Sequence, residues 1–113
     1  MSLSELIFGK KKYNVLSSEE FETAIRTQKK IYLLDVRAKS EFDDRKIPNA
    51  LNLDIRNPNF KNKIAQFDPA KAVYIYCQSG KRAGRACDMF VKLGFEKVYN
   101  LKGGLIQYEG RTI

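Results

Sequence analysis

The sequence predicts an α/β domain built on a mainly parallel, five-stranded sheet. Runs of strand-forming residues alternate with segments of helical periodicity, the pattern left by a parallel sheet with crossover helices. One run, Ile31-Tyr32-Leu33-Leu34-Asp35-Val36, is almost continuously apolar, as expected of a strand covered on both faces. With 113 residues and 43% hydrophobic content, the chain suits one domain with a core of its own.

In chain order, Tyr13-Asn14-Val15-Leu16 reads as a short first strand. Ser17 followed by Glu20 makes a capping box, in which each side chain satisfies a backbone N–H of the other. Phe21, Ala24 and Ile25 give the helix behind it an apolar face. After the buried run at 31–36, Ser40 to Arg45 suggests a short helix, and Pro48 ends it. Ala50-Leu51-Asn52-Leu53 is the third strand. Asn57 to Gln66 is helical, with Phe60, Ile64 and Phe67 spaced for one face. Ala72-Val73-Tyr74-Ile75-Tyr76 is the fourth strand. A helical stripe of Ala83, Ala86, Cys87, Phe90 and Leu93 comes next, stopped by Gly94 as a glycine just past the helix end. Lys97 to Leu101 is the fifth strand, and Gly103-Gly104 turns into a last short helix from Leu105 to Glu109.

The most informative stretch is Tyr76-Cys77-Gln78-Ser79-Gly80-Lys81-Arg82. It places a thiol at the carboxyl end of a strand and before the N-terminus of a helix that begins near Arg82. In α/β sheets, ligands sit beyond that strand edge. Free N–H groups and the positive end of the helix dipole gather there. A thiol in such a field loses its proton more readily, and the thiolate is the nucleophile. Lys81 and Arg82 add two cations beside it. The strand end Asp35-Val36-Arg37 and the turn Lys102-Gly103-Gly104 fall at the same edge.

The chain contains no histidine. A Cys–His pair, a Ser–His–Asp triad and a His-ligated metal are therefore excluded. Activation of Cys77 must come from electrostatics and backbone amides, which suits an attacking group that is already an anion. Two cysteines, Cys77 and Cys87, make no disulfide framework and leave a four-ligand zinc site half filled. No cofactor is expected.

Net charge is +8 and the pI is about 9.6, with a mean hydropathy of −0.44. A basic surface attracts anions. The densest clusters, Lys10-Lys11-Lys12 and Lys29-Lys30, read first as solvated faces. Aromatic and basic residues are not interleaved as in single-strand binders, so nucleic acid is not an expected partner. No apolar run approaches the roughly 20 residues of a membrane helix. Residues 1–12 read as an N-terminal extension to a domain at 13–113, with no signal-peptide pattern. A cytoplasmic location is expected. Met1-Ser2-Leu3 also reads as a cloning scar, in which case the sequence leaves room for a trimmed native leader.

Four patches resemble the rhodanese-like sulfurtransferase domain family over nearly the whole chain, from about Leu16 to Tyr108. Leu34-Asp35-Val36-Arg37 with Glu41-Phe42 is similar to the first signature of that family. Lys46-Ile47-Pro48-Asn49-Ala50 is similar to the second, usually Gly-His-Ile-Pro-Gly-Ala. Tyr76 to Ala83 resembles the active-site loop, and Leu93 to Gly104 the C-terminal signature. Three departures stand out: Arg45-Lys46 in place of Gly-His, Asn49 in place of glycine, and Tyr108 where tryptophan is frequent.

The resemblance implies a doubly wound, parallel five-stranded sheet flanked by helices. It also implies that Cys77 accepts a sulfane sulfur, becomes a persulfide, and passes that sulfur to a nucleophile. Gln78, Ser79, Gly80, Lys81 and Arg82 would then cradle substrate, while Asp35, Arg37, Gly103 and Gly104 support the site. The partners so implied are a small anionic sulfur donor such as thiosulfate, and a thiol, a protein or cyanide as acceptor.

Plainer readings stand beside these. A lone cysteine at a strand end is ordinarily a small, inert hydrophobe; the polar loop and the helix start count against that for Cys77. Cys87, on an apolar stripe, reads as core, with a resolving thiol as the alternative. Asp35 and Arg37 read equally well as a structural ion pair, with Glu41 close by. Among rival functions, cysteine phosphatases and arsenate reductases place an arginine six positions after the cysteine. Here that position is Ala83, and Arg82 is one step short. A non-catalytic recognition module and a sulfur carrier remain as further alternatives.

Overall fold

The computed structural model describes residues 13–113. The N-terminal extension, Met1-Ser2-Leu3 and the Lys10-Lys11-Lys12 cluster lie outside the described residues. The elements run β1 (Asn14–Leu16), α1 (Ser18–Thr27), β2 (Tyr32–Asp35), α2 (Lys39–Asp44), β3 (Leu51–Asn52), α3 (Phe60–Ile64), β4 (Val73–Tyr76), α4 (Lys81–Lys92), β5 (Val98–Leu101) and α5 (Gly104–Gln107).

The five strands form one sheet in the order β1-β5-β4-β2-β3, every pair parallel. The expected mainly parallel sheet is thus all parallel. β4 lies at its centre, with Asp35 opposite Tyr76 on one side and Asn100 opposite Ile75 on the other. A central strand in a parallel sheet is buried on both faces, and all four residues of β4 are buried.

Side chains alternate along β4, because successive Cβ atoms of a strand point to opposite faces. Val73, Ile75 and Cys77 join a core with Phe60 and Ile64 of α3 and Ala83, Ala86, Cys87 and Phe90 of α4. Tyr74 and Tyr76 join the other, with Phe21 of α1 and Leu105 of α5. Helices therefore cover both faces, the doubly wound arrangement. This parity turns the Cys77 side chain toward α4 rather than α1.

Local signals explain the element ends. Glu20 N–H donates to Ser17 Oγ at 3.1 Å and Ser17 N–H to Glu20 Oε1 at 2.9 Å, so the capping box starts α1 as expected. α4 stops at Leu93, followed by Gly94 at φ +93°. The third strand is shorter than the expected 50–53, only Leu51 and Asn52, because it pairs with β2 alone at the sheet edge. Tyr108 is buried and meets Phe21 edge-on at 6.5 Å, filling the position with a smaller aromatic. Asn49 has φ +70°, a left-handed conformation that asparagine tolerates better than most residues, which fits its standing where glycine is usual. Among the described residues, no helix is long and apolar enough to cross a membrane.

Candidate active site

Cys77 follows the last residue of β4 and is fully buried. Its sulfur accepts two backbone hydrogen bonds, from Gly80 N–H at 3.0 Å and Ala83 N–H at 3.3 Å. These donors come from the loop and from the first turn of α4. Gly80 is the N-cap residue of α4, with φ +100°. That left-handed turn bends the loop back on itself and aims the Gly80 amide at the sulfur. Two converging N–H groups at a helix start form a concavity suited to an anionic sulfur.

The outer side of the loop is tied to α5. Leu105 N–H donates to the Cys77 carbonyl at 2.9 Å, and Ile106 N–H to the Gln78 carbonyl at 3.1 Å. A Cβ on Gly104 (φ +64°) would stand 2.4 Å from the Gln78 carbonyl and 2.5 Å from the Ser79 nitrogen. Gly104 is thus the close-approach point between loop and helix. Gly103, at φ +73°, is the N-cap residue of α5 and makes the turn into it. Ser79 is exposed on the loop's outer surface, and Lys81 is exposed at the first position of α4.

Asp35 and Arg37 form a buried ion pair at the end of β2. Arg37 Nη2 reaches Asp35 Oδ2 at 2.8 Å, with side-chain exposures of 3% and 0%, so the pair is sealed from solvent. Arg37 also donates to Gln78 Oε1 at 3.3 Å and, through Nη2, to the Arg45 carbonyl. Burial opposes its charge, but the Asp35 hydrogen bonds and charge outweigh this, and its pKa is raised. The structure thus shows the ion pair at the end of β2, with Arg37 reaching from it to the Gln78 side chain. Asn52 braces the same strand end, donating to the Asp35 and Arg37 carbonyls at 3.2 and 2.9 Å.

Glu41 does not complete that pair. It binds Arg82 instead, with Nη1 to Oε1 at 2.7 Å and Nη2 to Oε2 at 2.9 Å. The two hydrogen bonds from Arg82 hold the Glu41 carboxyl down at about 2. In return Glu41, first by hydrogen bonding and then by charge, raises the Arg82 pKa, with smaller contributions from Cys77 and Asp54. Arg82 thus stands close to Glu41, Asp54 and Cys77.

Asn100 was not singled out by the sequence. It is buried in β5, and its Nδ2 donates to the Gly80 carbonyl at 3.2 Å, which helps hold the Gly80 peptide in place. Its Oδ1 has no partner among the described residues. A polar residue inside the apolar run Val98-Tyr99-Asn100-Leu101 was the available signal. Cys87 is buried one helical turn beyond Ala83 and packs in the core shared with Phe90 and Ile75, as read from its stripe. Among the described residues, no group of three or more His, Cys, Asp or Glu side chains is placed to hold a metal ion.

The model of the family described as "Rhodanese-like domain" matches residues 17–110. The chain is 32% identical over 109 residues to the uncharacterized protein YqhL of Bacillus subtilis, covering 96% of this chain and 82% of that one. It is 30% identical over 95 residues to a sulfurtransferase of Allochromatium vinosum, covering 84% of this chain and 87% of that one. With the tRNA uridine(34) hydroxylase of Cytophaga hutchinsonii it shares 34% identity over 96 residues, 82% of this chain but only 30% of that longer protein. The crystal structure of a rhodanese-related protein from Thermoplasma volcanium superposes with a TM-score of 0.76 at 21% identity, over 89% of this chain and 98% of that one.

Proposed function

The chain belongs to the rhodanese-like domain family, and from that premise we propose that it is a sulfurtransferase working through a Cys77 persulfide. Relatives named sulfurtransferase support a sulfurtransferase-type enzyme. In the proposed reaction, the Cys77 thiolate attacks the outer sulfur of a sulfane donor, thiosulfate or another persulfide. The donor's S–S bond breaks and sulfite or a thiolate leaves with the bonding pair. An acceptor thiolate, or cyanide, then attacks the outer sulfur of the Cys77 persulfide and regenerates the Cys77 thiolate. No step needs a protein acid, which suits a chain without histidine.

One observation carries this reading: the Gly80 and Ala83 amides converge on the Cys77 sulfur at 3.0 and 3.3 Å. They stabilise an anion at the sulfur without a base. The five-position step from Cys77 to Arg82, and the commitment of Arg82 to Glu41, weigh against a phosphatase, which needs its arginine on the substrate oxyanion. An intact nucleophile inside a built loop likewise weighs against a purely non-catalytic module.

The direct test is to incubate the protein with thiosulfate and examine its intact mass. One added sulfur on Cys77 is expected, removable by cyanide as thiocyanate. Failure to load sulfur from any sulfane donor would overturn the proposal.

A further inference from the structure

Four cations that follow the carboxyl ends of β2, β3 and β4 already hold anions of the protein. Arg37 is paired with Asp35 at 2.8 Å, Lys39 with Asp43 at 2.6 Å, Arg56 with Asp54 at 3.3 Å, and Arg82 with Glu41 at 2.7 Å. Lys81, at the start of α4, and Lys102, in the turn after β5, are exposed and make no ion pair among the described residues. The Arg82 guanidinium thus carries a charge that the protein already compensates.

Arg82 is the decisive case. It lies in the first turn of α4, next to the loop that surrounds the sulfur, and Cys77 is among the groups that act on its guanidinium. Both of its Nη groups are occupied by the two oxygens of Glu41. A fork of that geometry is what would otherwise clamp the oxygens of an oxyanion. Glu41 therefore stands in the place of a substrate anion on this side of the site.

We propose that Glu41 is a positioning residue that sets donor specificity: by occupying Arg82 it selects sulfane donors of low charge over dianionic ones. This rests on the persulfide reading above. Thiosulfate brings two negative charges to a thiolate, so the encounter gathers three. A protonated alkyl persulfide, R–S–SH, brings none. With it, Cys77–S⁻ forms a bond to the outer sulfur, the R–S bond to that sulfur breaks, and R–S⁻ leaves with the electron pair. The proton stays on the transferred sulfur, and nothing is oxidised or reduced overall.

Glu41→Gln is the informative change. Glutamine keeps an oxygen for the Ala38 N–H, which Glu41 now accepts at 3.2 Å to start α2; it removes the charge and replaces one of the two acceptor oxygens with an amide NH2 that cannot accept from Arg82. The experiment measures the rate of sulfur loading on Cys77 by intact mass against donor concentration, with thiosulfate and with cysteine persulfide.

The wild type is expected to favour cysteine persulfide in kcat/KM by about tenfold or more. Glu41→Gln should lower KM for thiosulfate about fivefold, with kcat little changed, and leave the persulfide reaction as it was. Glu41→Asp, which keeps the charge, should retain the wild-type preference. Equal or better use of thiosulfate by the wild type would overturn the proposal and leave the persulfide reading standing, whether or not the variants fold. So would a Glu41→Gln protein that folds yet gains nothing toward thiosulfate. No loading from either donor would remove both.

Discussion

The Leu105 amide donates to the Cys77 carbonyl at 2.9 Å. Together with the bond from Ile106 N–H to the Gln78 carbonyl at 3.1 Å, it takes up the first two carbonyls of the loop on the side of α5. The loop can then turn the Gly80 and Ala83 amides toward the sulfur. A carbonyl aimed into the site would repel an anion; an amide attracts one.

This makes Gly104 a test of loop shape. Its added Cβ would stand 2.4 Å from the Gln78 carbonyl, where backbone rather than a flexible side chain must give way. Gly94 is the control: its φ of +93° is also left-handed, but a Cβ there meets nothing within 4 Å. Gly94→Ala should cost on the order of 1–2 kcal/mol in a denaturant titration, with sulfur loading intact. Gly104→Ala should cost more and should also slow loading by roughly a hundredfold, because a small displacement of the amides spoils their convergence. Equal loading rates in the two variants would show that the loop does not depend on the α5 contact.

The two cysteines should separate cleanly. Cys77→Ser is expected to fold and to load no sulfur, since a serine hydroxyl is not an anion near neutral pH and no histidine is present to make it one. Cys87→Ala should load sulfur normally and lose on the order of 1 kcal/mol, as a small truncation in a packed core. Loss of activity in Cys87→Ala at unchanged stability would instead make Cys87 a redox partner of Cys77.

Loop length should decide between sulfur and phosphate. Inserting one residue after Gly80 would move the arginine to the sixth position after Cys77. It would also pull the Ala83 amide from its 3.3 Å contact. Thiosulfate loading should fall by about tenfold or more as the cradle opens. The unmodified protein should release no phosphate from an aryl phosphate; turnover of that substrate without a detectable persulfide would reverse the assignment.

The Glu41–Arg82 pair predicts an acid-sensitive contribution to stability. The Glu41 carboxyl lies at about 2 in the fold, against an ordinary 4.5. A depressed carboxyl contributes stability that is complete above its unfolded value and is lost as pH falls toward its folded value. The contribution should therefore fade between about 4.5 and about 2. Both partners are partly exposed, so the effect is modest and weakens with salt. Urea midpoints across this window should fall less steeply in Glu41→Gln, which has no carboxyl there to protonate. Parallel curves for the two proteins would contradict the assignment.

The chain by itself determined what depends on residues close together in sequence. The Ser17–Glu20 capping box, the Ala83 to Leu93 stripe, and the strand–loop–helix passage around Cys77 are set by neighbours within a turn or two, and their periodicities are visible in one dimension. Tertiary structure decided the rest. Which face of β4 carries Cys77 came from the packing of α3 and α4 against Val73 and Ile75. Glu41 reads naturally with Arg37, its neighbour in sequence, yet it binds Arg82, 41 residues away. Asn100 reads as one more strand residue until the pairing of β4 with β5 brings it to the Gly80 carbonyl, 20 residues distant. Both contacts depend on strand order, which the hydrophobic burial of the whole sheet chooses. Local propensity carries no information about which strand lies next to which, so the partners of Arg82 and Gly80 exist only once the sheet is assembled.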